Sequence, residues 1–368
     1  MKVGILGAGQ LGRMLALSGY PIGIECVAYA ASDDEPACKV TRYVRGAWDD
    51  TRALDEFCSR IDVATYEFEN VPLDAVRHIG ARVPLYPSID ALRIAADRVE
   101  EKRLFHRLGI ETAPFAEVNT EEELRAAVTT IGLPAVLKTR TLGYDGKGQY
   151  VLRSDADVAK ALAALGHRPS ILEGFVSFTR EVSAIGVRSM SGALASYALA
   201  QNTHRDGMLE QSLAPLADRT EASSIEAKAH AYVRSILESL DYVGVLALEL
   251  FDCEGRLLAN EMAPRVHNTG HHTIEAAETS QFENHLRAIT GMPLGSTAMR
   301  GHAAMLNLIG SIPDVSKMLA VEGAHVHVYG KEPRPHRKMG HITIRTDDAS
   351  SRDERLREIQ RVLNESRA

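Results

Sequence analysis

Leu248-Glu249-Leu250-Phe251-Asp252-Cys253-Glu254-Gly255-Arg256-Leu257-Leu258-Ala259-Asn260-Glu261-Met262-Ala263-Pro264-Arg265-Val266-His267-Asn268 is the stretch of this 368-residue chain from which its architecture can be worked outward. Apolar runs flank a turn at Asp252 to Gly255, as in a β-hairpin, so Glu249 and Glu261 are expected on neighbouring strands. Two carboxylates so placed suit a hard divalent cation, Mg²⁺ or Mn²⁺, which takes oxygen ligands and shares them with substrate phosphates. Asn260 adds a neutral oxygen, and Arg265 offers a charge to an anion. A solvated hairpin with scattered charges is the competing reading.

Upstream, Lys138-Thr139-Arg140-Thr141-Leu142-Gly143-Tyr144-Asp145-Gly146-Lys147-Gly148-Gln149 sets three glycines within six residues, bounded by strands. A backbone without Cβ atoms can approach phosphate oxygens closely, and Lys138 can reach the same oxygens as a point charge. The loop is not a Walker A motif, because no Gly-Lys-Ser/Thr follows at the required spacing. A simple hairpin turn is the alternative, and it would need neither lysine. Glu173-Gly174-Phe175-Val176 ends another strand, with Glu181 close behind. Such residues can frame an adenine edge and a ribose diol, although by spacing alone they are ordinary strand-end residues. His204 falls in the polar stretch Gln201 to Gly207, read as a loop between strands. Lys331, Arg334, Arg337 and Lys338 pack four cations into eight positions, either a solvated turn or a phosphate-recognising loop.

The chain begins with a strand, Val3 to Leu6, that enters Gly7-Ala8-Gly9-Gln10-Leu11-Gly12 and a helix carrying Met14, Leu15 and Leu17. Further strands at Val27 to Ala30 and Ile61 to Tyr66 complete the alternation of a parallel, doubly wound unit. The glycine turn is similar to a dinucleotide fingerprint, but the acid expected after strand two is misplaced, since Ala31 and Ser32 precede Asp33. A structural turn, or a phosphate ligand other than NAD, reads better. From Arg98 to Leu108 an amphipathic helix runs until Gly109. Thr120 to Glu123 form a capping box, followed by a strand at Ala135 to Lys138, a helix over Ala156 to Leu165 and a strand at Ser170 to Glu173. After Leu294 the chain alternates at His325 to Tyr329 and His341 to Ile344, then ends in a helix capped by Ser350 or Ser351 with Leu356, Ile359 and Leu363 inward. Domains are therefore expected over 1–98, 99–293 and 294–368.

With 45% hydrophobic and 25% charged residues the chain reads as an ordinary globular protein of two or three domains. A formal charge of −7 argues against a nucleic-acid partner, so an anionic substrate has to meet a local cluster of cations. Cys26, Cys38, Cys58 and Cys253 lack zinc-ligand spacing and suit a reducing, cytoplasmic setting. Neither a signal peptide's apolar region nor a membrane-length apolar run is seen, and no membrane partner is expected.

Gly7 to Met14, Phe68-Glu69-Asn70-Val71-Pro72, Asp97-Arg98 with Lys102, the Gly143 to Gln149 loop, Asn260 to Asn268, Ser280-Gln281-Phe282-Glu283 and Arg337-Lys338-Met339-Gly340-His341 together resemble the ATP-grasp carboxylate–amine ligases. The likeness is to those of purine biosynthesis that carboxylate 5-aminoimidazole ribonucleotide, and it spans nearly the whole chain. It implies an α/β and α+β architecture: an ATP-grasp fold with an N-terminal Rossmann-like (pre-ATP-grasp) domain and a small C-terminal domain. ATP as co-substrate would meet Arg98, Lys138, Gly143, Tyr144, Asp145, Gly146, Lys147, Gly148, Gln149, Glu173, Gly174, Phe175, Val176, Glu181, His204, Asn260 and Glu261. Glu249 and Glu261 would hold Mg²⁺. The resemblance also implies that Glu69, Tyr144, Asp145, Lys331, Arg337 and Lys338 contact the ribonucleotide. Asp145, Arg265 and Asn268 are assigned to the reacting centre, the last two at its bicarbonate end. A homodimer is the family's usual assembly. Leu142 stands where the family usually has glycine and His272 where it has an aromatic residue. The rivals are another ATP-grasp ligase with a different acceptor, an NAD-dependent oxidoreductase, and a nucleotide-binding regulator without turnover.

Overall fold

Short β-branched and aromatic runs bounded by turns become strands, and the structure, a computed structural model, arranges them in three sheets. It describes residues 1–143, 148–216 and 219–365, without the side chains of 219–223. The first sheet is parallel, in the order β3-β2-β1-β4, from β1 (Lys2–Leu6), β2 (Glu25–Ala30), β3 (Arg42–Arg45) and β4 (Val63–Tyr66). Its strands are apolar on both faces because helices cover both, and Leu6, Tyr29, Phe57 and Tyr66 fill the core on one side.

The second sheet is antiparallel: β5 (Phe115–Val118), β8 (Ser170–Gly174), β6 (Ala135–Thr139) and β7 (Gln149–Leu152), in that order. Leu124 and Val128 of the Glu121–Ile131 helix, with Val158 and Leu162 of the Val158–Ala164 helix, seal its inner face. Thr120 caps the first of these helices, accepting the Glu123 N–H at 3.1 Å. The Glu123 carboxylate reaches back to Asn119 N–H at 2.6 Å, one residue beyond the usual capping-box partner.

The third sheet is antiparallel and carries the hairpin. Its strands are β9 (Arg180–Arg188), β10 (Leu194–Ser196), β11 (Ala200–Arg205), β12 (Met208–Ala214), β13 (Gly244–Cys253), β14 (Arg256–Ala263), β15 (His302–Ile309), β16 (Ala324–Val328) and β17 (Lys338–Thr346). The order β14-β13-β9-β11-β12-β15-β17-β16 makes one ladder, with β10 beside β9. Strands from the C-terminal third thus extend the sheet that holds Glu249, because β15 pairs with β12 through Gln211 and Leu306. Two local readings change. His204 lies on β11, within a hairpin whose turn is Asp206-Gly207, and not in an open loop. The final helix, Ala349–Glu365, is capped by Asp348, which accepts the Ser351 N–H at 2.8 Å; Leu356, Ile359 and Leu363 do face inward. No helix of the described residues is long and apolar enough to cross a membrane.

His285, on the Gln281–Ile289 helix, ties the first sheet to the third. Its Nδ1 accepts the Val245 N–H at 3.1 Å, which leaves Nε2 as the protonated nitrogen that meets Thr65 Oγ1 at 2.8 Å. Burial pushes this imidazole down to about 3. The folded ring stays neutral while the unfolded ring takes up a proton below about pH 6.5, so stability falls as the pH drops through that value. At pH 5 this ring alone costs about 2 kcal/mol. His285→Asn, which keeps an acceptor but cannot titrate, is expected to flatten the fall in urea-unfolding free energy between pH 7 and 5 by about that amount.

Candidate active site

A cavity of about 770 Å³ opens where the three sheets meet, lined from each of them. One end is apolar, with Val136, Val151, Phe175, Leu209 and Phe251, and the other is walled by Gly9, Gln10, Trp48, Phe68 and Glu69. Glu249, Asn260 and Glu261 line the cavity as well.

Strand register brings the two acids together. Glu249 of β13 and Glu261 of β14 are direct cross-strand partners, and a bulge follows Glu249. Burial and then the neighbouring Glu261 push the Glu249 carboxyl up to about 7. Arg98 Nη2 stands 3.4 Å from Glu261, and His267 Nε2 stands 3.5 Å from Glu249. Glu181 of β9 is ion-paired to His204 of β11; burial would lower that imidazole, but Glu181 and then Glu249 outweigh it and raise it. Among the described residues no group of three or more His, Cys, Asp or Glu side chains could by itself enclose a metal ion. Two carboxylates on neighbouring strands are oxygen donors of the kind a hard divalent cation can share with phosphate oxygens.

Lys138 of the cavity lining belongs to a buried charge cluster. Glu173 of β8 takes Lys138 of β6 at 3.0 Å and stands 3.7 Å from Lys102, which also donates to the carbonyls of Ala259 (3.2 Å) and Asn260 (2.5 Å) on β14. Burial would raise Glu173, yet Lys102 and Lys138 outweigh it and hold the carboxyl at about 2. Glu173 therefore orients lysines instead of opening toward a ribose. Phe175 lines the cavity, with its N–H committed to Pro134 O at 3.1 Å. Lys102 belongs to the Arg98–Arg107 helix, as does Glu101, whose Oε1 accepts the Met262 N–H at 2.6 Å. Asp97 caps that helix and also clamps Arg140, through Nε at 3.1 Å and Nη2 at 2.5 Å, at the root of the glycine loop. Leu142 has φ 64°, a conformation that costs a leucine about 1 kcal/mol and accounts for a glycine being usual there. Tyr144, Asp145, Gly146 and Lys147 lie outside the described residues.

At the other end, Arg265 donates from Nε to Glu69 at 2.6 Å. Burial would lower the guanidinium, but Glu69 keeps it charged and Arg265 keeps Glu69 ionised. The buried Asn268 Oδ1 has no hydrogen-bond partner among the described residues and belongs to a residue that lines the cavity. Lys338 lines it too, from β17, and Lys331 bonds to Gln10. Arg337, in contrast, sits on an exposed turn, with Nη1 donating to Glu332 O at 3.1 Å.

Sequence reasoning gave no role to Lys102, Glu101, His267, Gln10, Trp48 or Glu67. The last explains the glycine turn. Its Oε2 accepts the Gly12 N–H at 2.6 Å and its Oε1 the Gly9 N–H, so a carboxylate of the chain itself sits where a dinucleotide phosphate would. The turn is structural, and the oxidoreductase reading fails on that contact.

Three family models match the chain: the ribonucleotide synthetase preATP-grasp domain at residues 1–96, the ATP-grasp domain at 103–282 and the phosphoribosylaminoimidazole carboxylase C-terminal domain at 303–355. The N5-carboxyaminoimidazole ribonucleotide synthase of Pseudomonas aeruginosa is 49% identical over 363 residues, 99% of each chain. The crystal structure of the Thermus thermophilus synthetase superposes with a TM-score of 0.94 at 51% identity, covering 98% of both chains. That of an Aspergillus clavatus synthase, in complex with ADP and 5-aminoimidazole ribonucleotide, superposes with a TM-score of 0.91 at 31% identity, covering 99% of this chain and 98% of that one.

Glu173→Gln would leave Lys102 and Lys138 without their shared counter-charge. A loss of about 3 kcal/mol or more in urea unfolding is expected, as for other broken buried ion pairs, together with a raised KM for ATP.

Proposed function

The chain belongs to the N5-carboxyaminoimidazole ribonucleotide synthase family of ATP-grasp enzymes, and from that premise we propose how its residues carry the reaction. It is a carbon–nitrogen ligase of purine biosynthesis that uses ATP to carboxylate the exocyclic amine of 5-aminoimidazole ribonucleotide. Bicarbonate attacks the γ-phosphorus of ATP, ADP leaves, and carboxyphosphate passes its carboxyl group to the amine with release of phosphate.

The observation that carries the residue assignments is a single cavity lined by Lys138, by Glu249 opposite Glu261, and by the Glu69–Arg265 pair. ATP fits the end where Val136, Phe175, Leu209 and Phe251 offer an apolar slot for adenine and Lys138 a charge for its phosphates. Mg²⁺, held by Glu249 and Glu261, would neutralise phosphate charge as the phosphoryl group transfers. Arg265 orients bicarbonate through its charge, and Asn268 Oδ1, without a partner among the described residues, accepts a hydrogen bond from the ligand. Glu69, kept ionised by Arg265, accepts from the ribonucleotide. Lys338 and Lys331 serve its phosphate. Arg337, next to Lys338 in the chain, is assigned to the same ribonucleotide. Tyr144, Asp145 and the rest of the loop act as a cover that excludes water from a labile mixed anhydride. Residues 1–98, 99–293 and 294–368 remain the proposed domains, and a cytoplasmic homodimer the proposed setting.

The direct test is ADP release with ATP, Mg²⁺ and bicarbonate, with and without the ribonucleotide. A ribonucleotide-stimulated rate is expected, and Glu261→Gln should lower it at least about a hundredfold, on the scale of other lost electrostatic contacts to a transferring group. Near-normal turnover in that variant would overturn the metal assignment. Lys331→Ala should raise the KM for the ribonucleotide more than Arg337→Ala does.

A further inference from the structure

Glycines at 7, 9 and 12 leave a cradle at the N-terminus of the Gln10–Gly19 helix, where oriented N–H groups and the helix dipole favour an anion. Here the anion is built in. Glu67 follows β4 directly, is 6% exposed, and spends both carboxylate oxygens on the Gly9 and Gly12 N–H groups. The glycines are shaped to it: a Cβ at Gly7 would lie 2.6 Å from Glu67 Cγ, and one at Gly9 2.7 Å from its Oε1. Structural packing alone would be served by an apolar side chain, without desolvating a charge.

What surrounds the cradle belongs to the ribonucleotide end of the cavity. Gln10, one residue past Gly9, accepts from Lys331 of the C-terminal region. Glu69, two residues past Glu67, holds Arg265. Gly9, Gln10, Glu67, Glu69 and Arg265 all line the same cavity. A carboxylate fixed at two N–H groups therefore sets two neighbouring contacts at once.

We propose that Glu67 is a positioning residue for the ribonucleotide: as a resident anion it holds the glycine turn in shape, presents Gln10 to Lys331 and Glu69 to Arg265, and keeps phosphates out of the helix terminus. This rests on the ligase reading above. It sets the turn apart from a dinucleotide site of the same glycine spacing by a residue 58 positions away from Gly9.

Trp48, the sole tryptophan, lines the same cavity near Phe68 and reports ribonucleotide binding by fluorescence without turnover. In Glu67→Gln one of the two N–H groups faces an amide N–H. Ribonucleotide affinity should fall roughly tenfold, the scale of one charge-assisted hydrogen bond, with the KM for ATP changed less than about twofold. In Glu67→Ala, sodium acetate should restore ribonucleotide affinity in a saturable way while leaving the wild type unaffected. Equal losses for both substrates, or no loss, in the Gln variant would overturn the proposal. So would a folded Ala variant that ignores acetate; if that variant does not fold, the Gln variant decides alone. A wild type whose ADP release ignores the ribonucleotide would instead overturn the ligase reading, which keeps the two failures distinct.

Discussion

Two carboxylates facing each other across a hairpin set the terms for everything around them. The register of β13 and β14 makes Glu249 and Glu261 direct partners, and like charges directly opposite on a sheet repel. Burial first and Glu261 second push Glu249 up to about 7, with His204 and Lys338 pulling the other way, while Arg98 pairs with Glu261. A fold bears such a cost where function uses it, and the proposed divalent cation, held by the two carboxylates, would relieve it.

Elsewhere the site answers each acid locally. Glu173 has Lys102 and Lys138, Glu69 has Arg265, and Glu67 has backbone N–H groups. A chain with a formal charge of −7 still sets individual cations, Arg98, Lys138, Arg265 and Lys338, in the cavity lining, since net charge and local field are separate quantities. The same pairing divides the labour between elements. The Arg98–Arg107 helix anchors β14 through Glu101 and Lys102, while Asp97 at its start grips Arg140 below the glycine loop.

Local patterns were legible in the sequence. The hairpin around Asp252 to Gly255, the parallel strands of the first sheet and the Thr120 cap all follow from contacts a few residues apart, or from alternation along one strand. Long-range partnership was not. Nothing near Gly9 announces Glu67 as the occupant of its turn, and Lys102 reads as a surface helix residue until Glu173 arrives from β8. The polar run from Gln201 to Arg205 made His204 look like loop, although its strand pairs with β12 across the Asp206-Gly207 turn and with β9. Asp348 displaced Ser350 and Ser351 as the final cap, a shift of the size by which helix ends are commonly misjudged. The join of β12 to β15 crosses the boundary that the strand pattern suggested near Leu294, since a strand carries no mark of which sheet will receive it.

The central claim is that Glu249 and Glu261 meet as a buried pair whose charge a metal–nucleotide ligand completes. Calorimetry of Mg·ADP binding near pH 7, in buffers of different ionisation enthalpy, measures the protons released per site. About half a proton more from the wild type than from Glu249→Gln, growing toward pH 6, is expected for a carboxyl near 7 that must ionise to bind. Identical proton release from the two proteins would contradict the account.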